Sequence, residues 1–146
     1  LTKLREVVDR LRDRLVVFQD EAGVELFDLP DAPRPDPDTP APVRYLYDYD
    51  NLLLSHADRS RVITDTYRDQ NWEFDGPMPR LFIIDGFTAG TWLTEVVRGT
   101  ATLTIRPFRA LSDADEAAVA AEGEGLLSFT APKASAREVR FEAPAG

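Results

Sequence analysis

The sequence contains no cysteine, which excludes a disulfide scaffold, a cysteine-ligated metal and a thiol nucleophile. Histidine occurs once, as His56. With no cysteine beside it, the soft ligands of a zinc site are lacking, so no metal and no other cofactor is expected. No apolar run approaches the ~20 residues needed to cross a bilayer, so no membrane partner is expected. No signal peptide is visible, which makes the cytoplasm the expected compartment. There is neither a glycine-rich phosphate loop nor a Ser-His-Asp signature. Lysine is scarce, at 2 residues against 15 arginines; with abundant Ala, Asp and Pro, this bias fits a GC-rich genome such as an actinobacterial one. Methionine occurs once, as Met78, and the chain opens at Leu1 inside a helical pattern with no convincing cap. The expectation is a piece of a longer chain.

What is present suits one ordinary domain, or a small unit attached to a larger one. Hydrophobic residues make up 43% of the 146, enough for a core and too many for intrinsic disorder. The net charge is −9, from 17 basic and 26 acidic residues. That balance opposes nonspecific binding to a polyanion, so any contact with nucleic acid requires a local basic face or help from another part of the protein.

Residues 1–15 predict an amphipathic helix. Leu1, Leu4, Val8, Leu11 and Leu15 form the apolar stripe, with Val7 widening it. Glu6, Asp9 and Asp13 fall opposite, flanked by Lys3, Arg10 and Arg14 on one edge and Arg5 and Arg12 on the other. Two β-rich runs around the turn ending at Gly23 then predict a hairpin. A helix followed at once by a hairpin is how a winged-helix unit ends, and residues 1–29 are assigned to such a unit. Residues 30–43 hold six of the eleven prolines and are expected to be an extended linker.

Residues 44–146 are expected to form a C-terminal α+β domain with an antiparallel sheet flanked by one or two helices. VRYLYDYD opens it as an aromatic strand, and Asp50 or Asn51 caps a short helix carrying Leu52, Leu53 and Leu54. LFII at 81–84 reads as a buried strand. The Asp85-Gly86 turn, the run from Phe87 to Val97, the Arg98-Gly99 turn and the alternating TATLTIR complete a meander. Ser112 to Asp115 forms the start of a helix over about 112–128, weakened by Gly123 and Gly125, and EVRFE at 138–142 closes the chain as a strand. Trp72 and Phe74 are expected to be local anchors in the polar stretch 55–80.

Asn51, His56, Asp58, Arg59 and Arg61 form the densest polar cluster. Two readings apply. In one, the arginines contact phosphates and Asp58 or His56 orients them; in the other, Asp58 caps a turn, the arginines pair with nearby acids and His56 is structural. The cations of residues 3–14 can line a recognition helix, but the acids at the centre of its exposed face favour a solvated, salt-bridged helix. The Thr100, Thr102, Thr104 and Arg106 face reads as the solvated side of a sheet rather than a nucleic-acid platform. Trp72 and Trp92 are candidates for base stacking, with core packing the stronger reading for Trp92. The carboxylates Asp48, Asp50, Asp58, Asp65, Asp69 and Asp75 cluster in a polar stretch where solvation is the ordinary outcome.

RPDPDTPAPVRYLYDYDNLLLSHADRSRVI at 34–63, IDGFTAGTW at 84–92 and ATLTIRPFRALS at 101–112 resemble the C-terminal region of bacterial winged-helix DNA-binding proteins of the alkylpurine and interstrand-crosslink DNA glycosylase superfamily. DNLLLSHADRS is the most specific of these blocks. The resemblance implies tandem winged-helix units with a β-rich C-terminal part, double-stranded DNA as partner through the full-length protein, and, in members that are enzymes, cleavage of the N-glycosidic bond of alkylated bases with a Gln-x-Gln motif near the N-terminus. That motif is absent here, where Gln19 and Gln70 stand isolated, so no catalytic residue is assigned. Three roles remain open: an accessory DNA-binding part of a repair glycosylase, a non-enzymatic DNA-binding regulator, and a protein-interaction module that no longer binds DNA.

Overall fold

The computed structural model describes residues 3–65 and 80–144; Trp72 and Phe74 lie outside them. The chain divides into two compact units, residues 1–39 and 40–146, the boundary falling within the proline-rich stretch.

The first unit holds helix α1 (Leu4–Leu11), a 3-10 turn (Arg12–Arg14) and an antiparallel hairpin of β1 (Val16–Gln19) and β2 (Glu25–Asp28). The hairpin turn is shaped by the Asp20 carboxylate, which accepts from the backbone N–H of Ala22 at 2.9 Å and of Val24 at 2.8 Å, while Gly23 takes the left-handed conformation. None of the residues of α1, β1 or β2 is buried. The unit is tied instead by arginines. Arg12 makes a two-pronged bond to Glu25 and lies over the ring of Phe27. Arg34 bonds Asp28 and the carbonyls of Leu29 and Pro30 and lies over Phe18. Proline-rich residues therefore fold back on the hairpin through Arg34.

The second unit is a five-stranded sheet in the order β3 (Arg44–Tyr45), β4 (Leu81–Ile84), β5 (Phe87–Val97), β6 (Thr100–Pro107), β7 (Ala136–Phe141). A one-turn helix α2 (Asn51–Leu54) follows β3, and α3 (Asp113–Thr130) precedes β7. Both tight turns of the meander, Asp85-Gly86 and Arg98-Gly99, have positive φ at both central residues. That is the twist-matched geometry for two-residue hairpins. The expected antiparallel sheet requires one correction: β7 runs parallel to β6. The 18-residue α3 carries the chain back along the sheet, and a strand reached through such a crossover enters in the same direction as the one it left. The architecture is α+β with a mixed sheet.

Alternation along the strands puts apolar side chains on both faces. Phe82, Trp92, Ala101, Leu103 and Ile105 pack with Val119 and Leu127 of α3 on one side. Leu81 and Ile83 point the other way, into a smaller cluster with Leu46, Leu53 and Phe108, flanked by Val62 and Ile63. Helix α3 starts where Ser112 Oγ accepts from the N–H of Asp115 at 3.1 Å, with Asp113, Asp115 and Glu116 in its positive first turn. Its contact line is Val119, Gly123 and Leu127, spaced four apart. A Cβ at Gly123 would stand 2.6 Å from Leu103 Cδ2 and 3.0 Å from the Tyr45 hydroxyl. Glycine here is what lets the helix approach the sheet. A second close approach occurs at Gly90, beside a register shift at Phe82/Ile83, where a Cβ would meet the Arg106 carbonyl at 2.5 Å.

Tyr45 links the sheet to α3 by donating to the Val119 carbonyl at 2.9 Å. Burial pushes its phenol well above the ordinary value of 10.0, and the Glu122 carboxylate adds to the shift.

Two outcomes follow from this packing. Gly123→Ala lowers stability by about 1–3 kcal/mol through overpacking against the fully buried Leu103. Gly125→Ala, with nothing within 4 Å of its Cβ, raises stability by about 0.5–1 kcal/mol. Denaturant titration of the two variants reads both signs. Because the folded state favours the neutral phenol of Tyr45, its contribution is complete below about pH 10 and is lost as pH rises above that. Tyr45→Phe costs about 1 kcal/mol at neutral pH and flattens the alkaline fall, which thermal melts between neutral pH and pH 11 measure.

Candidate nucleic-acid interface

The segment from Tyr45 to Ile63 leaves the sheet, turns, forms α2 and returns. Asp50 caps α2 by accepting from the N–H of Leu52 at 2.9 Å, and Leu53 anchors the turn in the smaller core cluster. Five residues expected at a nucleic-acid site, Asn51, His56, Asp58, Arg59 and Arg61, are all exposed on this segment. Asn51 opens α2, and its carbonyl accepts from Ser55 at 2.9 Å. Asp58 accepts from the N–H of Ser60 at 2.9 Å, the geometry of a turn-capping carboxylate. Arg59 donates through Nη1 to the Leu53 carbonyl at 3.0 Å, and its own carbonyl accepts from Val62 and Ile63. Arg59 is thereby held against the C-terminal end of α2, where the helix carbonyls favour a cation. An arginine bound by one nitrogen retains further N–H donors.

Pattern reading missed a second group. Arg80, the residue before β4, makes a bidentate pair with Asp48 at 3.0 and 3.1 Å. Its guanidinium carbon lies 5.2 Å from the centroids of both Tyr47 and Trp92. The hydrogen bonds that it donates to Asp48 are the main reason its pKa is raised further still. Trp92 is only 8% exposed, and its indole N–H is shared between the carbonyls of Leu46 and Leu81, each at 3.0 Å. Trp92 and Tyr45 meet in a T-shaped contact, 5.6 Å between centroids. A stack thus runs from Tyr45, beneath α3, through Trp92 and Arg80 to Tyr47 at the surface. The expectation that Trp92 packs in the core holds, and it also supports Arg80. No periodicity relates positions 45, 47, 48, 80 and 92; the only available signal was the density of tyrosines and acids in YLYDYD.

The other candidates separate. Arg12 is held by Glu25 within the first unit, in keeping with a salt-bridged α1. Arg106 is paired with Glu142 at 2.7 Å, and Thr102 is buried, so the threonine face of β6 is partly covered and its cation neutralised. Asp48 and Asp50 have internal partners, Asp65 is exposed, and Asp69 and Asp75 lie outside the described residues. Among the described residues no group of three or more His, Asp or Glu is placed to hold a metal ion, and no helix is long and apolar enough to cross a membrane. A separate cleft of about 610 Å³ lies between the turn after β4 and the start of α3, with Thr64, Thr88, Phe87, Arg109 and Asp115 in its walls.

The family model described as "DNA glycosylase AlkZ-like" matches residues 1–129, which spans both units. Among solved structures, the fold is similar to that of the Streptomyces sahachiroi DNA glycosylase AlkZ, with a TM-score of 0.54 and 22% sequence identity. That match covers 97% of this chain and 37% of AlkZ, so the chain spans little more than a third of the solved protein's length. No curated protein sequence matches. The chain belongs to the AlkZ-like DNA glycosylase family.

Proposed function

We propose that this chain is the C-terminal accessory part of a winged-helix DNA-repair glycosylase, engaging double-stranded DNA while chemistry takes place elsewhere in the protein. The helix and hairpin of residues 1–29 are assigned as the end of a winged-helix unit, residues 30–43 as its connection, and residues 44–146 as the C-terminal domain. The observation that carries the reading is that the family match spans residues 51–61, a segment on which Arg59 and Arg61 stand exposed.

Contact with phosphate is electrostatic, so two guanidinium groups on one short segment serve it even on a chain of net charge −9. Arg59 is oriented by the Leu53 carbonyl, and Asn51 and His56 lie on the same exposed segment. The reaction assigned to the whole protein is release of an alkylated base by cleavage of its N-glycosidic bond. It is placed outside this chain because Gln19 and Gln70 form no Gln-x-Gln pair. In this scheme the remaining part positions a water at the sugar, and this part buttresses the fold and grips the backbone.

In the whole protein, the Arg59→Ala, Arg61→Ala double variant is expected to lose duplex affinity. Its plot of log affinity against log salt is expected to be shallower by about 1–2 units. Unchanged binding at low salt rejects the phosphate role. Absence of any duplex binding by the wild-type protein across the salt series replaces the proposal with a protein-interaction module, the role that the negative charge favours.

A further inference from the structure

The stack beneath Tyr47 ends at the surface. Tyr47 is 66% exposed although its ring rests on the Arg80 guanidinium. Arg80 is fixed from below by Trp92 and from the side by both oxygens of Asp48. Trp92 is fixed in turn by two carbonyls from different strand ends. An exposed ring on such a pedestal keeps its orientation with little further loss of freedom on binding. Two residues on, Tyr49 is 67% exposed and sits at φ 60. A left-handed backbone costs a non-glycine residue about 1 kcal/mol or more, and here it accompanies a largely exposed side chain. The turn that sets both rings is closed by the Asp50 N–H bond to the Tyr47 carbonyl at 3.3 Å.

We propose that Tyr47 and Tyr49 form a stacking site for a DNA base that has lost a stacking neighbour, on the chain segment that also carries Arg59 and Arg61. This rests on the DNA-binding reading above and names the form of DNA the same segment takes. The acids between and after the two tyrosines are both engaged, Asp48 by Arg80 and Asp50 by the α2 backbone, which moderates their repulsion of a polyanion. The rings offer two π-faces, and every nucleobase has one to match, so the contact discriminates by base exposure and not by sequence. A base within a paired duplex has both faces covered by its neighbours. A base at a bulge, gap or strand end has a free face and can settle on a surface ring.

The test uses the whole protein and two oligonucleotides, one fully paired and one carrying 2-aminopurine at an unpaired position. The wild-type protein is expected to prefer the second and to quench its fluorescence. Tyr47→Ala and Tyr49→Asn (the latter tolerates the left-handed backbone) are each expected to lose about five-fold or more in affinity for the unpaired-base DNA. Affinity for the paired duplex and the salt slope are expected to stay at wild-type values. Tyr47→Phe keeps affinity and quenching, because the ring and not the hydroxyl makes the contact. Wild-type affinity and quenching in the Tyr47→Ala, Tyr49→Asn double variant, with unchanged melting, overturn the proposal, as does a Tyr47→Phe variant as impaired as Tyr47→Ala. If the arginine variants flatten the salt slope while the tyrosine variants are inert, the stacking site alone falls. If the tyrosine variants lose affinity while the arginine variants do not, the phosphate assignment falls and the stacking site stands. A wild-type protein that binds neither oligonucleotide overturns both.

Discussion

The second unit depends on where one indole N–H goes. Trp92 sits on β5, yet it bonds the carbonyls of Leu46, just past β3, and Leu81, the first residue of β4. One buried side chain thus ties three successive strands of the sheet at the end where the polypeptide departs toward α2. A buried indole donor left without an acceptor costs about 1–3 kcal/mol, so the register of these strands and the seat of Trp92 are set together. From that seat follow the position of Arg80 above it, the bidentate hold of Asp48 on Arg80, and the rigid presentation of Tyr47.

The meander was legible because its signals are local. Asp85-Gly86 and Arg98-Gly99 specify two-residue turns, Ala101, Leu103 and Ile105 alternate with threonines, and Ser112 marks a helix start. The direction of β7 was not legible, since a strand's sequence carries no statement about which way its neighbour runs; the crossover through α3 decides it. Gly123 gave a misleading local signal. By propensity it weakens a helix, whereas in the fold it is where α3 comes close enough to the sheet that a Cβ would crowd Leu103. The five expected site residues were legible as a cluster because they share one segment. The Tyr47, Asp48, Arg80 and Trp92 group was not, because positions far apart in sequence meet only through strand pairing.

Glu25, Asp28, Asp48, Glu122, Glu138 and Glu142 each face a guanidinium, and most of these pairs are exposed, where each contributes little to stability. Their collective effect is on the surface field. Paired charges cancel at a distance, so the field is set by the residues left over, which together carry the net charge of −9. Pairing also explains why counting basic residues along α1 or β6 misjudges those faces: Arg12 and Arg106 are numerically basic and electrostatically neutralised.

The borders of the five-stranded sheet bear on how copies of the protein coexist. An unpaired strand margin is a template for intermolecular pairing and, at high concentration, for aggregation. Here β3 offers only two residues at one margin, and β7 at the other carries Arg137, Glu138 and Arg140 in a row of four. Too short a ladder on one side and too much charge on the other leave neither margin suited to recruiting a foreign strand. Between them, β4 pairs with β3 and β5, and β6 pairs with β5 and β7, while the Leu93–Val97 end of β5 pairs with β6 alone among the described residues.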